Sequence, residues 1–449
     1  MHGYERGDGR GLNVASDGGV RLALTFDHRG DRLIGLGLVN GVLNLLTLGF
    51  YASWAKTEVR RKLWSFTRIN GEPLAYTGTG RELFLGFLIV FFLVLLPIIA
   101  CGVVVSLIFA GNPTALTAYQ AAIYVLVFLL IGNAKYRAQR YRLSRTQWRG
   151  IRGALVGRPG RYGWTYFWTV ALPVVVVSGF ALITASAVNQ SYGAIILVAG
   201  LIAALWVLPW RANKLQGMMT TDTRLGDLAL RYDGTSAPLY RRYFFAWTGS
   251  ALALIAGISA ALYVVISSGS YQKWVVDRTP PSAQEIATLL AIGFSVLVLC
   301  AIITAWYRAS QVRHFAHHTK LDKAAFHSSV SGRGLAWLFV SNWLLTALGV
   351  VIGLAISGTL LLLIGIAPGR PTEPGALPLS SSLQGLVALA PIFVMTTAMS
   401  TFAHFRTTRY YVANLAIEGT VQLNTILQSQ SVGPKRGEGL AQVFELDAF

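Results

Sequence analysis

The distribution of charge constrains this chain most. From Leu83 to Gln272, and again from Ile286 to Ile366, every Asp, Glu, Lys and Arg falls inside a few short cassettes, and the stretches between are apolar. Several of these exceed the ~20 residues a helix needs to cross a hydrocarbon core. They do not alternate polar and apolar residues, as strands of a membrane barrel must. Charged residues make up 13% of the chain and mean hydropathy is +0.53, about half the charge fraction of a soluble domain. The fold class expected is an all-α polytopic membrane protein.

The first cassette begins at Trp54: WAKTEVRRKLWSFTRINGEPLAYTGTGRELFLGF. It has a basic helix end, a β-like run Leu63–Ile69, a turn at Asn70-Gly71, a second run Leu74–Thr77 and the start of an apolar segment. The pattern recurs from Lys135, Arg211, Arg308 and Arg406. Equivalent positions are Thr67, Thr146, Thr223, Thr319 and Asn414, separated by 79, 77, 96 and 95 residues. The longer spacings coincide with longer loops at 269–285 and 367–384, as insertions on one face of a repeat would. The reading is tandem parallel repeats of helix pairs with short cytoplasmic β-hairpins. The cassettes lie near 54–81, 135–161, 211–242, 308–333 and 406–430. They form a single membrane domain at 20–430, with flexible tails at 1–19 and 431–449.

Helices are expected near Leu83–Ala110, Ala115–Ala134, Tyr162–Ala187, Tyr192–Trp210, Tyr243–Ser268, Ile286–Tyr307, Leu335–Ile366 and Gly385–Ala403. Val20–Asp27 alternates like a strand. Leu33–Leu46 is too short to span comfortably, and Thr47-Leu48-Gly49 reads as a break before a second helix, Tyr51–Leu63. Residues 31–63 are therefore either a re-entrant pair or one full span. The similarity of 20–36 to the second half of a cassette favours the pair. Pro97, Pro173, Pro209 and Pro391 should bend helices.

The net charge is +19, from 38 basic and 19 acidic residues. The five cassettes, the last taken to the C-terminus, hold 30 of the 38 cations, against three in the opposite loops: Lys273, Arg278 and Arg370. The positive-inside bias places the cassettes, and both termini, in the cytoplasm. The excess is assigned to topology and anionic lipid rather than nucleic acid. Cys101 and Cys300 lie in apolar segments as small hydrophobes, and no cleavable signal peptide is expected from MHGYERGDGRG.

NLLTLGFYASWAKTEVRRKLW (44–64), YTGTGRELF (76–84) and YRLSRTQWRGIRG (141–153) resemble the YjgN-type family of bacterial inner-membrane proteins, a domain of unknown function. The resemblance is strongest over the first third of the chain, and the last three cassettes depart from its WAK and TGTG wording. It implies a multi-pass inner-membrane protein and brings no catalytic residues.

Candidate chemistry is sparse. Lys56, Arg60, Arg61, Arg81, Arg137, Arg140, Arg142, Arg145, Arg149 and Arg152 are the expected contacts for anionic headgroups or a protein partner. Asn40 and Asn44 lie one helical turn apart. They form a candidate polar membrane site, although bonding to neighbouring helices or capping the bend is the plainer reading. His314, His317, His318, His327 and His404 cluster near two cassettes. Asp322 is the one carboxylate in the fourth, so an interfacial cluster is favoured over metal. Thr79 should cap the helix that follows TGTGR, a stretch lacking a P-loop's Lys-Ser/Thr. No catalytic set, cofactor site or mid-membrane proton relay is expected. The sequence points to passage of a lipid or small solute, or to a scaffold docking through its basic layer.

Overall fold

The computed structural model describes residues 20–27, 31–363, 378–423 and 426–427. The expected tails and the first part of the loop 367–384 lie outside them. The apolar stretches form eight helices long enough to cross a membrane: Gly80–Ile108, Pro113–Arg145, Pro159–Ala187, Gln190–Asp222, Ala237–Ser267, Ala283–His317, Gly332–Leu363 and Gln384–Ala413. They outrun the expected ranges because the basic cassette ends continue as helix. We label α1 Asp31–Leu46, α2 Ala52–Phe66, α3 Gly80–Val90, α4 Leu96–Ile108, α5 Pro113–Arg145, α6 Pro159–Ala187, α7 Gln190–Ala204, α8 Leu208–Asp222, α9 Ala237–Ser267, α10 Ala283–His317, α11 Gly332–Leu363 and α12 Pro378–Ala413.

A π turn at Phe91–Leu95 joins α3 to α4 just before Pro97, and a 3-10 turn at Leu205–Val207 joins α7 to α8 just before Pro209. A proline lacks the N–H for an i→i−4 bond, so the preceding turn rearranges. Pro173 and Pro391 sit inside α6 and α12.

The expected strand Leu63–Ile69 is corrected. The chain stays helical to Phe66, because Leu63 and Phe66, three residues apart, both bury on one face of α2. Only Thr67–Ile69 is strand. The chain at 31–66 is not one rod. A turn with Leu48 (φ 49°) and Gly49 (φ 89°) in the left-handed region separates α1 from α2.

The strands are β1 Leu24–Phe26, β2 Thr67–Ile69, β3 Glu72–Pro73, β4 Ala75–Tyr76, β5 Thr146–Trp148, β6 Ile151–Leu155, β7 Thr223–Leu225, β8 Leu228–Tyr232, β9 Thr319–Leu321, β10 Ala324–Ser328 and β11 Leu415–Glu418. β1, β2 and β3 form one ladder, and β4 through β11 form another in sequence order. The run 72–76 belongs to both, pairing first with β2 and then with β5. Reciprocal bonds between Val20 and Val421 (2.9 and 3.0 Å) form an isolated bridge between the segment before β1 and the segment after β11. Leu22, Trp148, Leu321, Ala324 and Val421 form a buried cluster beside the strands, and Ile69, Leu225, Leu230, Phe326 and Ile417 pack against them.

Residues before the strands tie off the helices. Thr67, Thr146 and Thr223 donate their hydroxyls to the carbonyls of Leu63 (3.2 Å), Arg142 (2.8 Å) and Met219 (2.8 Å), and the Asn414 amide donates to the Tyr410 carbonyl (2.8 Å). These bonds cap carbonyls in the last turn of each helix, and the Tyr410 carbonyl also accepts the Asn414 main-chain amide (3.2 Å).

The chain divides into two compact units: Met1–Thr235 with His317–His327 and Ala416–Phe449, and Ser236–Ala316 with Ser328–Leu415. The first holds all but the end residues Ser328 and Leu415 of the strands. In the second, α11 and α12 pack through small residues. A Cβ on Gly353 would meet the Ile392 Cα at 2.5 Å, and Ser357 Oγ donates to the Ala388 carbonyl (2.6 Å). Close backbone approach of this kind is how membrane helices associate.

The two-residue loops explain the hairpin registers. Asn70 (φ 51°) and Gly71 (φ 81°) close β2 on β3, and Arg149 (φ 52°) and Gly150 (φ 77°) close β5 on β6. Two left-handed residues in succession give the twist a tight hairpin needs. Nothing lies within 4 Å of a Cβ built on Gly71, so Gly71→Val should cost about 1–2 kcal/mol from backbone strain alone. Reduced hydrogen-exchange protection of the Leu74 amide, which bonds the Thr67 carbonyl at 2.9 Å, is the readout. Gly35→Ala, with equal space in a helix, should leave stability unchanged or raised.

Candidate functional site

The first two cassettes meet at Glu82. Thr79 caps α3, accepting from the Glu82 amide (3.3 Å). The Glu82 carboxylate then faces α5, where Arg145 Nη2 (2.8 Å) and Tyr141 Oη (2.7 Å) donate to its two oxygens. Arg145 and Glu82 are each about three-quarters covered (24% and 25% exposed). Beside them, Arg149 makes a two-pronged bond to Glu72 (2.7 and 2.9 Å). Arg149 holds the Glu72 carboxyl below its ordinary range, and Glu72 in turn raises the guanidinium. At the next seam Tyr136 Oη donates to Asp222 Oδ2 (2.7 Å).

The ten expected cations therefore divide. Arg145 and Arg149 are spent on carboxylates. Arg140 donates to the carbonyls of Leu155 (2.8 Å) and Gly157 (3.3 Å), and Arg61 to that of Gly78 (3.2 Å). Lys56, Arg60 and Arg142 are half-buried and engaged, and Arg152 is exposed and engaged. Arg81 and Arg137 are exposed, with no partner among the described residues.

Asn40 is fully buried on α1, and neither atom of its amide has a hydrogen-bond partner among the described residues. Asn44 is half-buried with its Oδ1 unpartnered. The bend is tied instead by main chain, the Gly49 amide donating to the Asn44 carbonyl (2.7 Å), and by Thr47 Oγ1, which accepts from the Tyr51 amide (3.0 Å). The tip is apolar and exposed: Leu46 at 73%, Leu48 at 85%, Phe50 at 58%.

Of the histidines, His317 and His327 face each other with ring centroids 5.1 Å apart. His318 Nδ1 lies 2.8 Å from Asp233 Oδ1, and Lys320 Nζ lies 2.8 Å from Oδ2 of the same carboxylate. Lys320 first, then His318, holds the Asp233 carboxyl below its ordinary range. Asp233 reaches this cluster from the preceding hairpin, a contact no spacing rule exposes. No group of three or more His, Cys, Asp or Glu among the described residues is placed to hold a metal ion.

Sequence reasoning missed a tier of cations. Lys56, Lys135 and Arg308 each lie eleven residues before their junction threonine, and Arg211 twelve. An exposed tryptophan, Trp54, Trp210 or Trp306, stands one or two residues before three of them. That spacing is about 16 Å along a helix. For Lys135, Arg211 and Arg308 it marks the end of the helix's apolar run, where tryptophan and cations belong at the headgroups. The signal was present as W-x-K, W-R and W-x-R, but charge counts by cassette hid it.

Long apolar helices, tied at their basic ends by short antiparallel strands, define a polytopic membrane protein. The chain matches the family described as "Bacterial protein of unknown function (DUF898)" over residues 21–443 and belongs to it. It is similar to the "Inner membrane protein YjgN" of Salmonella typhimurium, with 23% identity over 362 residues, 76% of this chain and 86% of that protein. An Escherichia coli protein of the same name is 30% identical over 95 residues, 19% of this chain and 24% of that protein. No solved structure matches.

Glu82→Gln should remove the charge from a part-covered pair and cost about 1–2 kcal/mol, read as a fall of a few degrees in apparent Tm of the detergent-solubilised protein. Asp233→Asn should loosen the β8–β9 pairing, read as faster exchange of the Arg231 and Lys320 amides. A lowered carboxyl pKa contributes stability above its unfolded value and loses it as pH falls through the folded one. The difference from wild type should therefore be full at neutral pH and vanish below the ordinary aspartate range.

Proposed function

We propose that the chain is a non-catalytic inner-membrane protein that passes a lipid or small solute without a proton relay. Its five units are read as parallel repeats, with the strand hairpins and both termini cytoplasmic. One observation carries the reading. Few residues of the long apolar helices are buried, and between Ala283 and Thr304 none is. Apolar helix faces are left open to lipid, whereas a rigid scaffold would favour a dense helix core. No carboxylate lies between Glu82 and Asp222, or between Glu285 and Asp322, which disfavours proton coupling.

A scaffold reading is favoured by a different observation. The outward faces of successive strands carry Arg152, Arg224, Arg231 and Lys320, all exposed. Arg224 and Arg231 have no partner among the described residues. Such a surface suits an acidic protein or an anionic membrane.

Reconstitution into liposomes separates the two. Protein-dependent exchange of a fluorescent lipid between leaflets, or efflux of a trapped small solute, is the expected result. Absence of both, in vesicles shown to contain folded protein, would overturn passage and leave the docking surface.

A further inference from the structure

Two cations of the missed tier converge on one ring. Lys135, on α5, places its Nζ 5.4 Å from the Tyr166 ring centroid, and Arg211, on α8, places its Cζ 4.0 Å from it. Arg211 Nε donates to Thr169 Oγ1 (2.9 Å) and Nη2 to the Tyr166 carbonyl (3.3 Å). Tyr166 and Thr169 both lie on α6. The helices are held close by two glycines. A Cβ on Gly132 would stand 2.6 Å from the Tyr166 Cβ and 2.8 Å from the Gly163 Cα. The site is therefore built by the fold, not by chance meeting of mobile side chains.

Its charge is unbalanced. Both cations are half-buried, and neither has a carboxylate partner among the described residues. A guanidinium carries five N–H donors and an ammonium three; Arg211 commits two of its groups and Lys135 none. Contact with an aromatic face contributes about 0.5–2 kcal/mol, which does not replace a counter-charge. Position selects the counter-ion. Lys135 is the first charged residue met along α5 from Pro113, and Arg211 the first along α7 and α8 from Gln190. Each comes after ~20 apolar residues, the thickness of the hydrocarbon layer, so both stand at headgroup depth.

We propose that Lys135 and Arg211, arranged around Tyr166, bind the phosphodiester of an anionic phospholipid. The two cations and the open N–H donors take the phosphate oxygens, Thr169 fixes the guanidinium, and the Tyr166 ring contacts both cations. This rests on the membrane placement proposed above and on neither lipid passage nor docking. Loss of flux leaves the site standing, and failure of the site leaves flux standing.

The test uses full-length protein in nanodiscs of equal phosphatidylglycerol and phosphatidylcholine, with retained lipid read by native mass spectrometry. Wild type should retain phosphatidylglycerol in several-fold preference. The Lys135→Gln, Arg211→Gln pair should lose most of that preference, and Tyr166→Phe should keep it. Unchanged preference in the pair overturns the site. So does loss of preference by wild type when inorganic phosphate is added, since the ligand is then a soluble phosphate. Lys135→Gln alone keeps the test decisive if the pair does not fold, because this side chain donates no hydrogen bond among the described residues. It should lower the preference about two- to three-fold, and an unchanged value overturns the proposal.

Discussion

The interaction on which the rest depends is main-chain pairing between strands that lie far apart in sequence. Inside a bilayer, helices gain little from burying apolar surface, because lipid tails are as apolar as leucine. The helices here obey that rule and leave their membrane windows largely uncovered. Order along the chain must come from elsewhere. The ladder from β4 to β11 hydrogen-bonds each hairpin to the next, and the Val20–Val421 bridge ties the segments flanking β1 and β11. Short hairpins are marginal alone; a continuous ladder of them packed on Leu22, Trp148 and Val421 is not.

Side chains reinforce the same seams. Glu82 with Arg145, Glu72 with Arg149 and Asp233 with Lys320 each tie one hairpin or helix start to the next. Acidic residues are scarce, and these few are placed where two cationic segments would otherwise repel. Cations without a carboxylate partner among the described residues include Arg224 and Arg231 on the outer strand face and Lys135 and Arg211 at the ends of the apolar runs. On the reading proposed above, the first pair serves a docking face and the second a lipid phosphate.

Much of this was legible beforehand. The eight spans followed from apolar length, and Asn70-Gly71 announced a hairpin because both residues tolerate a positive φ. The strand at Leu63–Ile69 was misplaced because seven residues are too few to separate a period of 2 from one of 3.6; burial of Leu63 and Phe66 decided for helix. Asn40 and Asn44 were visible as a polar face. That the Asn40 amide is buried without a hydrogen bond was not, since it depends on what covers the helix. The headgroup tier was present in the spacing before each threonine but needed coordinates to be seen.

The sequence alone determined the membrane class, the succession of helices and basic connections, and the excess of cations. Those depend on transfer free energy and local backbone preference, which are properties of short stretches. Tertiary structure decided which charges are neutralised, which strands pair with which, and that Lys135 and Arg211 meet at Tyr166. These depend on contacts between residues up to 401 positions apart, as Val20 and Val421 are, and no local pattern encodes which distant partner a strand or a guanidinium will find.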